Sequence, residues 1–280
     1  MQTGQPSRTA LSAASHRAVH QTLEGGVIFA DAFALRILSD TAREGLDGMA
    51  NDPAQRPMRL FIAARSRFSE ETMANCVARG VRQIVILGAG LDTFSLRNPY
   101  AGEGARVFEV DYPATQAWKR ERLSQAGLAL PASLVFAPVD FERQGLPEGL
   151  AAAGFRVDQP AYFQWLGVVP YLTREAIVAT LDFIAGVAGS EVVFDYGEPP
   201  ENYPPAMRAN LTATAARVAA LGEPWLSEFN PADMAALLRA RGFAEFWDVT
   251  RAELARRYYG DLGEGLTDGP GPHVVRARSK

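Results

Sequence analysis

VRQIVILGAGLDTFSLR, Val81 to Arg97, is the stretch that decides the reading of this chain. Val81 and the run Ile84 to Leu87 are apolar and lead straight into Gly88-Ala89-Gly90. A strand that ends in a glycine turn lets a ligand press against bare backbone. A dinucleotide fingerprint would place a third glycine at Thr93, and Asp92 and Thr93 stand there instead. A pyrophosphate needs a helix N-terminus that is close and uncharged. Asp92 puts a negative charge at that point, which repels phosphate and suits a ligand with an amine and a sulfonium.

Outward from this turn the chain alternates short β-branched runs with helical ones. Strands are expected at Gln83–Leu87, Arg106–Val110, Leu134–Val139, Tyr162–Leu166, Glu191–Phe194, Glu245–Val249 and Val274–Ala277. Helices are expected at Pro113–Ala126, Arg174–Val187 and Pro231–Arg241. Apolar strands separated by helices imply a parallel sheet covered on both faces, a doubly wound α/β domain. Before Gly80 the pattern is helical, at Thr9–Thr22, Ala32–Thr41 and Arg56–Arg79, the last stopped by Gly80. Residues 1–79 therefore read as an N-terminal helical extension and 80–280 as the sheet domain. The stretch Glu198–Glu228, opening with GEPPENYPP, breaks the alternation and has the length of a connection that shapes a ligand site. GDLGEGLTDGPGP before the last strand reads as a surface loop.

Composition narrows the function. With 280 residues, 48% of them hydrophobic, the chain can bury one substantial core. Charged residues are 21% and the net charge is -4, with no basic stripe, which argues against a nucleic-acid partner. The single Cys76 excludes an internal disulfide and fits a reducing cytoplasm, with packing as its expected role. The first residues hold no apolar secretory core, and no run of 18 apolar residues offers a membrane span. His16 and His20 are spaced i, i+4, but no third ligand accompanies them, so they read as helix-surface residues and no metal is expected.

In a doubly wound sheet the ligand crevice lies at the carboxyl ends of the strands. After the first strand come Gly88, Ala89 and Gly90. After the second come Glu109, Asp111 and Tyr112, with an acidic residue about 20 positions past the glycine turn, where a ribose diol is held. After the third come Asp140 and Phe141, suited to hydrogen-bond an adenine amine and cover its ring. Three such features in order point to an adenosine cofactor, and Asp92 makes S-adenosylmethionine the better fit over NAD.

At this point the sequence resembles the leucine carboxyl methyltransferase family of S-adenosylmethionine-dependent enzymes, whose bacterial branch includes many O-methyltransferases. ARSRF (Ala64–Phe68), QIVILGAGLDT (Gln83–Thr93), VFEVDYPATQAWKRERL (Val107–Leu123), PVDF (Pro138–Phe141) and WLGVVPYLT (Trp165–Thr173) carry the likeness. It implies a Rossmann-like, seven-stranded, mostly parallel sheet with its last strand antiparallel. It also implies that Arg65 holds the methionine carboxylate by a bidentate pair, assisted by an N-terminal basic residue best matched by Arg17. Gly88 and Gly90 would line the cofactor, Asp111 would take the ribose, and Asp140 with Phe141 the adenine. The family often has a glutamate just before its GV dipeptide, near the cofactor's amino group. Leu166 stands there here, so backbone carbonyls or Gln164 are left to hold the amine. Phe94 replaces an arginine frequent after LDT.

Methyl transfer from a sulfonium is an in-line displacement that gains most from alignment in a dry site. A carboxylate acceptor needs no base, whereas an alcohol or phenol does. Tyr171, Asp195, Tyr196, Glu198 and His273 lie near strand ends, and none forms a sharp constellation. Tyr171 and Tyr196 are the weak catalytic candidates. The reading is an O-methyltransferase acting on a carboxyl or hydroxyl oxygen of a small molecule or peptide, with residues 198–228 and the N-terminal helices as cover. Tyr203, Met207, Leu211 and Trp225 are candidates to face the acceptor. The sequence is compatible with a homo-oligomer. The alternatives are a non-catalytic S-adenosylmethionine binder, which Leu166 keeps open, and a nicotinamide-dependent oxidoreductase.

Overall fold

The β-branched run after Gly80 forms the central strand of a sheet, and the helices before it fold back over that sheet. The computed structural model describes residues 7–139, 145–264 and 270–280. N-terminal to the sheet lie α1 (Arg8–Leu23), α2 (Asp40–Glu44), α3 (Leu46–Asn51) and α4 (Arg56–Ala78). The sheet is then built through β1 (Gln83–Leu87), α5 (Phe94–Arg97), β2 (Arg106–Asp111), α6 (Pro113–Gln125), β3 (Leu134–Pro138), α7 (Leu146–Ala152) and β4 (Ala161–Trp165). It continues through α8 (Arg174–Ala185), β5 (Glu191–Tyr196), α9 (Pro205–Ala220), α10 (Pro231–Ala240), β6 (Phe243–Val249), α11 (Arg251–Tyr258) and β7 (His273–Ser279).

Among the described residues seven strands form one sheet in the order β3-β2-β1-β4-β5-β7-β6. The first five strands in that order run parallel, and β7 is antiparallel to both its neighbours. The expected doubly wound, mostly parallel sheet with an antiparallel last strand is therefore what forms. The order reverses between β1 and β4, and it is at the carboxyl ends of strands at such a switch point that α/β sheets take their ligands.

Both faces are buried, as the continuous apolar runs required. Val85 and Leu87 of β1 pack with Leu150 of α7, Leu181 of α8 and Leu238 of α10. Ile84 and Ile86 point the other way, into Leu60, Ala64 and Met73 of α4 and Leu254 of α11. A third cluster joins Ala14, Ala18 and Val19 of α1 to Ile37, Leu38, Leu46, Leu123 of α6 and Leu91 of the glycine turn. The N-terminal helices thus pack directly onto the turn.

Three local expectations are corrected. Residues 32–38 run as turns, and the helix expected over Ala32–Thr41 is reduced to α2, capped by Ser39. The Asp31 carboxylate accepts the Phe33 N–H at 3.0 Å, and a local side-chain bond of this kind competes with helix formation. Phe33, Ala34, Ile37 and Leu38 bury their apolar atoms as a packed loop. The connection 198–228, read as irregular, contains the 16-residue α9. None of its residues is buried, so no apolar face marked it, although Pro205 at its first turn suits a helix start. His16 and His20 are buried, at 3% and 0% exposure, because that side of α1 packs on α4.

Beneath the turn, alternation along β2 sends Glu109 and Asp111 to the same side. Glu109 pairs with Lys119 of α6 at 2.7 Å, with side chains 0% and 1% exposed. Removing one member of such a pair leaves a buried charge without compensation. Lys119→Met is expected to lower unfolding free energy by about 3–5 kcal/mol. Urea unfolding measures it, and a loss below about 1 kcal/mol would show that the pair does not support the turn.

Candidate functional site

The site starts from backbone geometry at the end of β1. Gly88 and Gly90 have φ of 65° and 43°, a left-handed conformation that side chains rarely adopt. A Cβ at Gly88 would stand 2.4 Å from Val168 Cγ2, and one at Gly90 would stand 2.9 Å from Ala10 Cβ of α1. Both positions therefore require glycine for conformation and for space. Gly88 is exposed to the crevice, while α1 covers Gly90. Ala89 is buried and donates its N–H to Val110 at 3.0 Å, tying the turn to β2.

Asp111, expected from the sequence to meet a ribose diol, stands at the end of β2. Its Oδ2 accepts the Gly90 N–H at 2.6 Å and its Oδ1 the Tyr112 N–H at 2.7 Å. The Thr115 hydroxyl bonds the carboxylate as well, and it still keeps acceptor capacity for a further donor. Burial pushes the Asp111 pKa above the usual carboxylate value, and the two amides offset part of that. Glu109 is not part of the opening. It lies beneath the turn, accepts the Ser95 hydroxyl at 2.6 Å and pairs with Lys119, which also donates to the Asp92 carbonyl at 2.7 Å. Burial raises the Glu109 pKa against the pull of Lys119.

Asp92 uses both oxygens. Oδ1 accepts the Phe94 N–H at 2.7 Å and Oδ2 accepts Gln164 Nε2 at 3.0 Å. The following α5 spans only Phe94–Arg97 and starts beside this carboxylate, so the turn offers no long, uncharged helix start for a pyrophosphate. Gln164 is buried and engaged at both ends, since its Oε1 also accepts the Ser69 hydroxyl at 2.9 Å. Asp140 and Phe141 lie outside the described residues.

Arg65 reaches the same edge from α4. Its Nη1 donates to Asp195 Oδ2 at 2.5 Å, and its guanidinium lies over Phe61. Arg67 points outward instead, pairing with Glu71 on an exposed helix face. Arg17 is buried, and its Nη2 donates to the Leu91 carbonyl at 2.6 Å while Nε reaches Asp31 at 3.4 Å. Asp31 in turn accepts the Thr93 hydroxyl at 2.7 Å. Arg17 thus fastens the N-terminal segment to the glycine turn.

Sequence reasoning missed His16. Burial, and then the charges of Arg59 and Arg65, lower its pKa to about 4, so it is neutral at neutral pH. Its Nδ1 is buried and has no hydrogen-bond partner among the described residues. Neither the i, i+4 spacing nor the composition of α1 signals a buried imidazole beside Arg65.

Two segments close over the edge. Glu223, beyond α9, accepts the Arg8 and Thr9 N–H groups at 2.9 and 3.0 Å, capping α1 from a remote part of the chain. Leu226 donates to the Pro170 carbonyl at 2.6 Å. Tyr171 sits under this strap. Burial raises its hydroxyl pKa, while hydrogen bonds with Trp225 and Thr9 and the Arg65 charge oppose the rise. Met207 and Leu211 lie half-buried on α9, and Tyr203 is buried. Tyr196 faces elsewhere: its hydroxyl donates to Asp248 at 2.6 Å and its ring stacks on His273. His273 bridges Asp248 at 2.8 Å and Glu198 at 3.1 Å, at the root of the 198–228 segment.

Comparison with known proteins gives the family and the fold. Residues 10–185 match the pattern of the leucine carboxyl methyltransferase family. A putative S-adenosyl-L-methionine-dependent methyltransferase of Bacillus subtilis, YktD, is 29% identical with 100% of both chains covered. A similarly described protein of Mycolicibacterium paratuberculosis is 32% identical, covering 97% of this chain and 94% of the relative. Two crystal structures share the fold at 16% identity. A DUF574 family protein of Streptomyces avermitilis has a TM-score of 0.58, with 96% of this chain and 97% of that one covered. A putative methyltransferase of Thermobifida fusca has 0.56, with 100% and 97% covered. Among the described residues no helix is long and apolar enough to cross a membrane, and no cluster of metal-ligating side chains occurs.

The His273 bridge makes a pH-dependent contribution to stability. Burial alone would lower its pKa, but the bonds and charges of Asp248 and then Glu198 outweigh that and raise it above 6.5. The contribution is complete below the unfolded value of about 6.5 and is lost as pH rises through the folded value. The parent is expected to lose stability relative to His273→Gln as pH rises from neutral, read by thermal unfolding across that range. Parallel pH profiles would contradict the charged bridge.

Proposed function

This chain belongs to the leucine carboxyl methyltransferase family, and on that footing we propose that it methylates an oxygen of a small molecule or of a peptide carboxyl. It is an S-adenosylmethionine-dependent methyltransferase. The observation that carries the placement of the site is Asp111, whose carboxylate bonds the Gly90 amide and keeps acceptor capacity facing the bare turn.

The residues present fit this cofactor. The edge has bare backbone at Gly88, a carboxylate for the ribose diol at Asp111 and a guanidinium for the methionine carboxylate at Arg65. The unpartnered His16 Nδ1, buried near Arg65, adds a neutral group that can bond the same carboxylate. The resemblance assigns the adenine to Asp140 and Phe141. Arg17 acts indirectly, by fastening the turn. When bound, the cofactor supplies an electrophilic methyl carbon on a sulfonium.

The protein's part is then alignment and exclusion of water. The strap around Glu223 and Trp225 and the N-terminal α1 meet over the edge, which supports residues 1–79 and 198–228 as its cover. Tyr171 stays a neutral phenol under this cover, so it orients an acceptor by hydrogen bonding rather than by taking a proton. His273 and Tyr196 are committed to Asp248 and Glu198. The unpartnered imidazole at the edge, His16, has its pKa lowered to about 4 and is a weak base, so an acceptor that is already ionised suits the site best, and that is a carboxylate.

Asp111→Asn is expected to weaken S-adenosylhomocysteine binding by about 1.5–3 kcal/mol, measured by calorimetric titration. Equal affinity of the two proteins would remove the cofactor from this edge. Transfer of a labelled methyl group to a panel of carboxylic acids and phenols then identifies the acceptor class. Products labile to alkali support a methyl ester, stable ethers would redirect the reading to hydroxyl acceptors, and binding without transfer favours a non-catalytic role.

A further inference from the structure

Arg65 and Asp195 are separated by 130 residues and meet at the carboxyl edge between β4 and β5. Their side chains are only 11% and 6% exposed. Asp195 Oδ2 accepts Arg65 Nη1, and Oδ1 accepts the Gly167 N–H at 2.5 Å. Each oxygen retains capacity for one more donor. The Arg65 fork is likewise not used up: the hydrogen bond it makes among the described residues is from Nη1, and Nη2 packs on the bare backbone of Gly167, 2.9 Å from where a Cβ would stand. Trp165 pairs with Phe194 across the sheet, so the next residues, Leu166 and Asp195, sit side by side. Leu166 offers no charge there, and Asp195 provides the carboxylate one strand over.

The cofactor's amino-acid end carries two opposite charges. A guanidinium alone would answer its carboxylate and leave a buried ammonium uncompensated, which is strongly unfavourable. Arg65 and Asp195 together present the complementary pair, already assembled and neutral overall. We infer that Asp195 receives the cofactor's ammonium group while Arg65 receives its carboxylate, so that the ion pair as a whole is the amino-acid subsite. The ligand's zwitterion lies against the protein's own pair with each charge beside its opposite, and no net charge enters the edge. The subsite rejects adenosyl ligands that bring a carboxylate without an amine, since Arg65 is already neutralised by Asp195. This inference rests on the edge being the cofactor site.

The experiment titrates the parent and Asp195→Asn with three probes: S-adenosylhomocysteine, its analogue lacking the amino group, and methylthioadenosine, which lacks the amino-acid end. Asp195→Asn should lose about tenfold to a hundredfold in affinity for S-adenosylhomocysteine. It should bind the desamino analogue more tightly than the parent does, because Arg65 is no longer neutralised, and change by less than about threefold on methylthioadenosine. Equal loss on S-adenosylhomocysteine and the desamino analogue would mean that Asp195 only positions Arg65 and would overturn the inference. So would no loss at all. The parent alone provides a reading independent of how the variant folds: it should prefer S-adenosylhomocysteine to the desamino analogue by at least about tenfold, and equal affinities contradict the subsite. A parent that binds none of the three overturns the cofactor reading itself. A parent that binds methylthioadenosine without preferring the amino group overturns only the role of Asp195.

Discussion

The carboxyl edge of the sheet has to be bare backbone, and the rest of the structure is arranged around that constraint. Val168 leans onto Gly88 and Ala10 onto Gly90, each closer than a side chain at those positions would permit. The guanidinium of Arg65 rests on Gly167 in the same way. Three separate parts of the chain, the N-terminal α1, the long α4 and the connection after β4, thereby converge on backbone that carries no side chain. A larger residue in the turn would both strain the chain and push its cover away.

The turn is also held from outside and beneath. Arg17 grips the Leu91 carbonyl from α1, and Lys119 grips the Asp92 carbonyl from α6 while neutralising Glu109. Asp111 pins the Gly90 amide from β2. Backbone groups that a flexible loop would offer to water are committed here before any ligand arrives. A site fixed in advance spends less of its binding energy on ordering itself. The cover is assembled differently, by the Glu223 carboxylate on the first amides of α1 and by the Pro170 carbonyl on the strap. Those contacts lie on the half-exposed side of the molecule, where opening and closing are least costly.

How much of this can be read from the sequence follows the range of the interactions. The strands were legible because a β-branched run bounded by glycine or proline encodes burial locally: β1 lies at Gln83–Leu87 as expected, and the others shift by one or two residues. The position of Asp111 at the end of β2 was legible because it is fixed by the length of one strand-helix-strand unit. α9 was not, since a helix with no buried face leaves no periodic signal, and α11 was overlooked although Thr250 and Glu253 form a capping box. Asp195 was seen only as a weak candidate base, because its partner Arg65 is remote in sequence. His16 was misread for a related reason, since burial of a polar residue on α1 depends on α4 packing against it. Glu109, equally placed at a strand end, turned out to be a foundation rather than a lining.

The most direct test of the account is a crystal structure of the protein with S-adenosylhomocysteine bound. The account predicts the ribose on Asp111, the thioether over Gly88, and the amino-acid end lying along Arg65 and Asp195 beneath α1. A ligand bound away from the glycine turn, or one whose ribose does not meet Asp111, would contradict it.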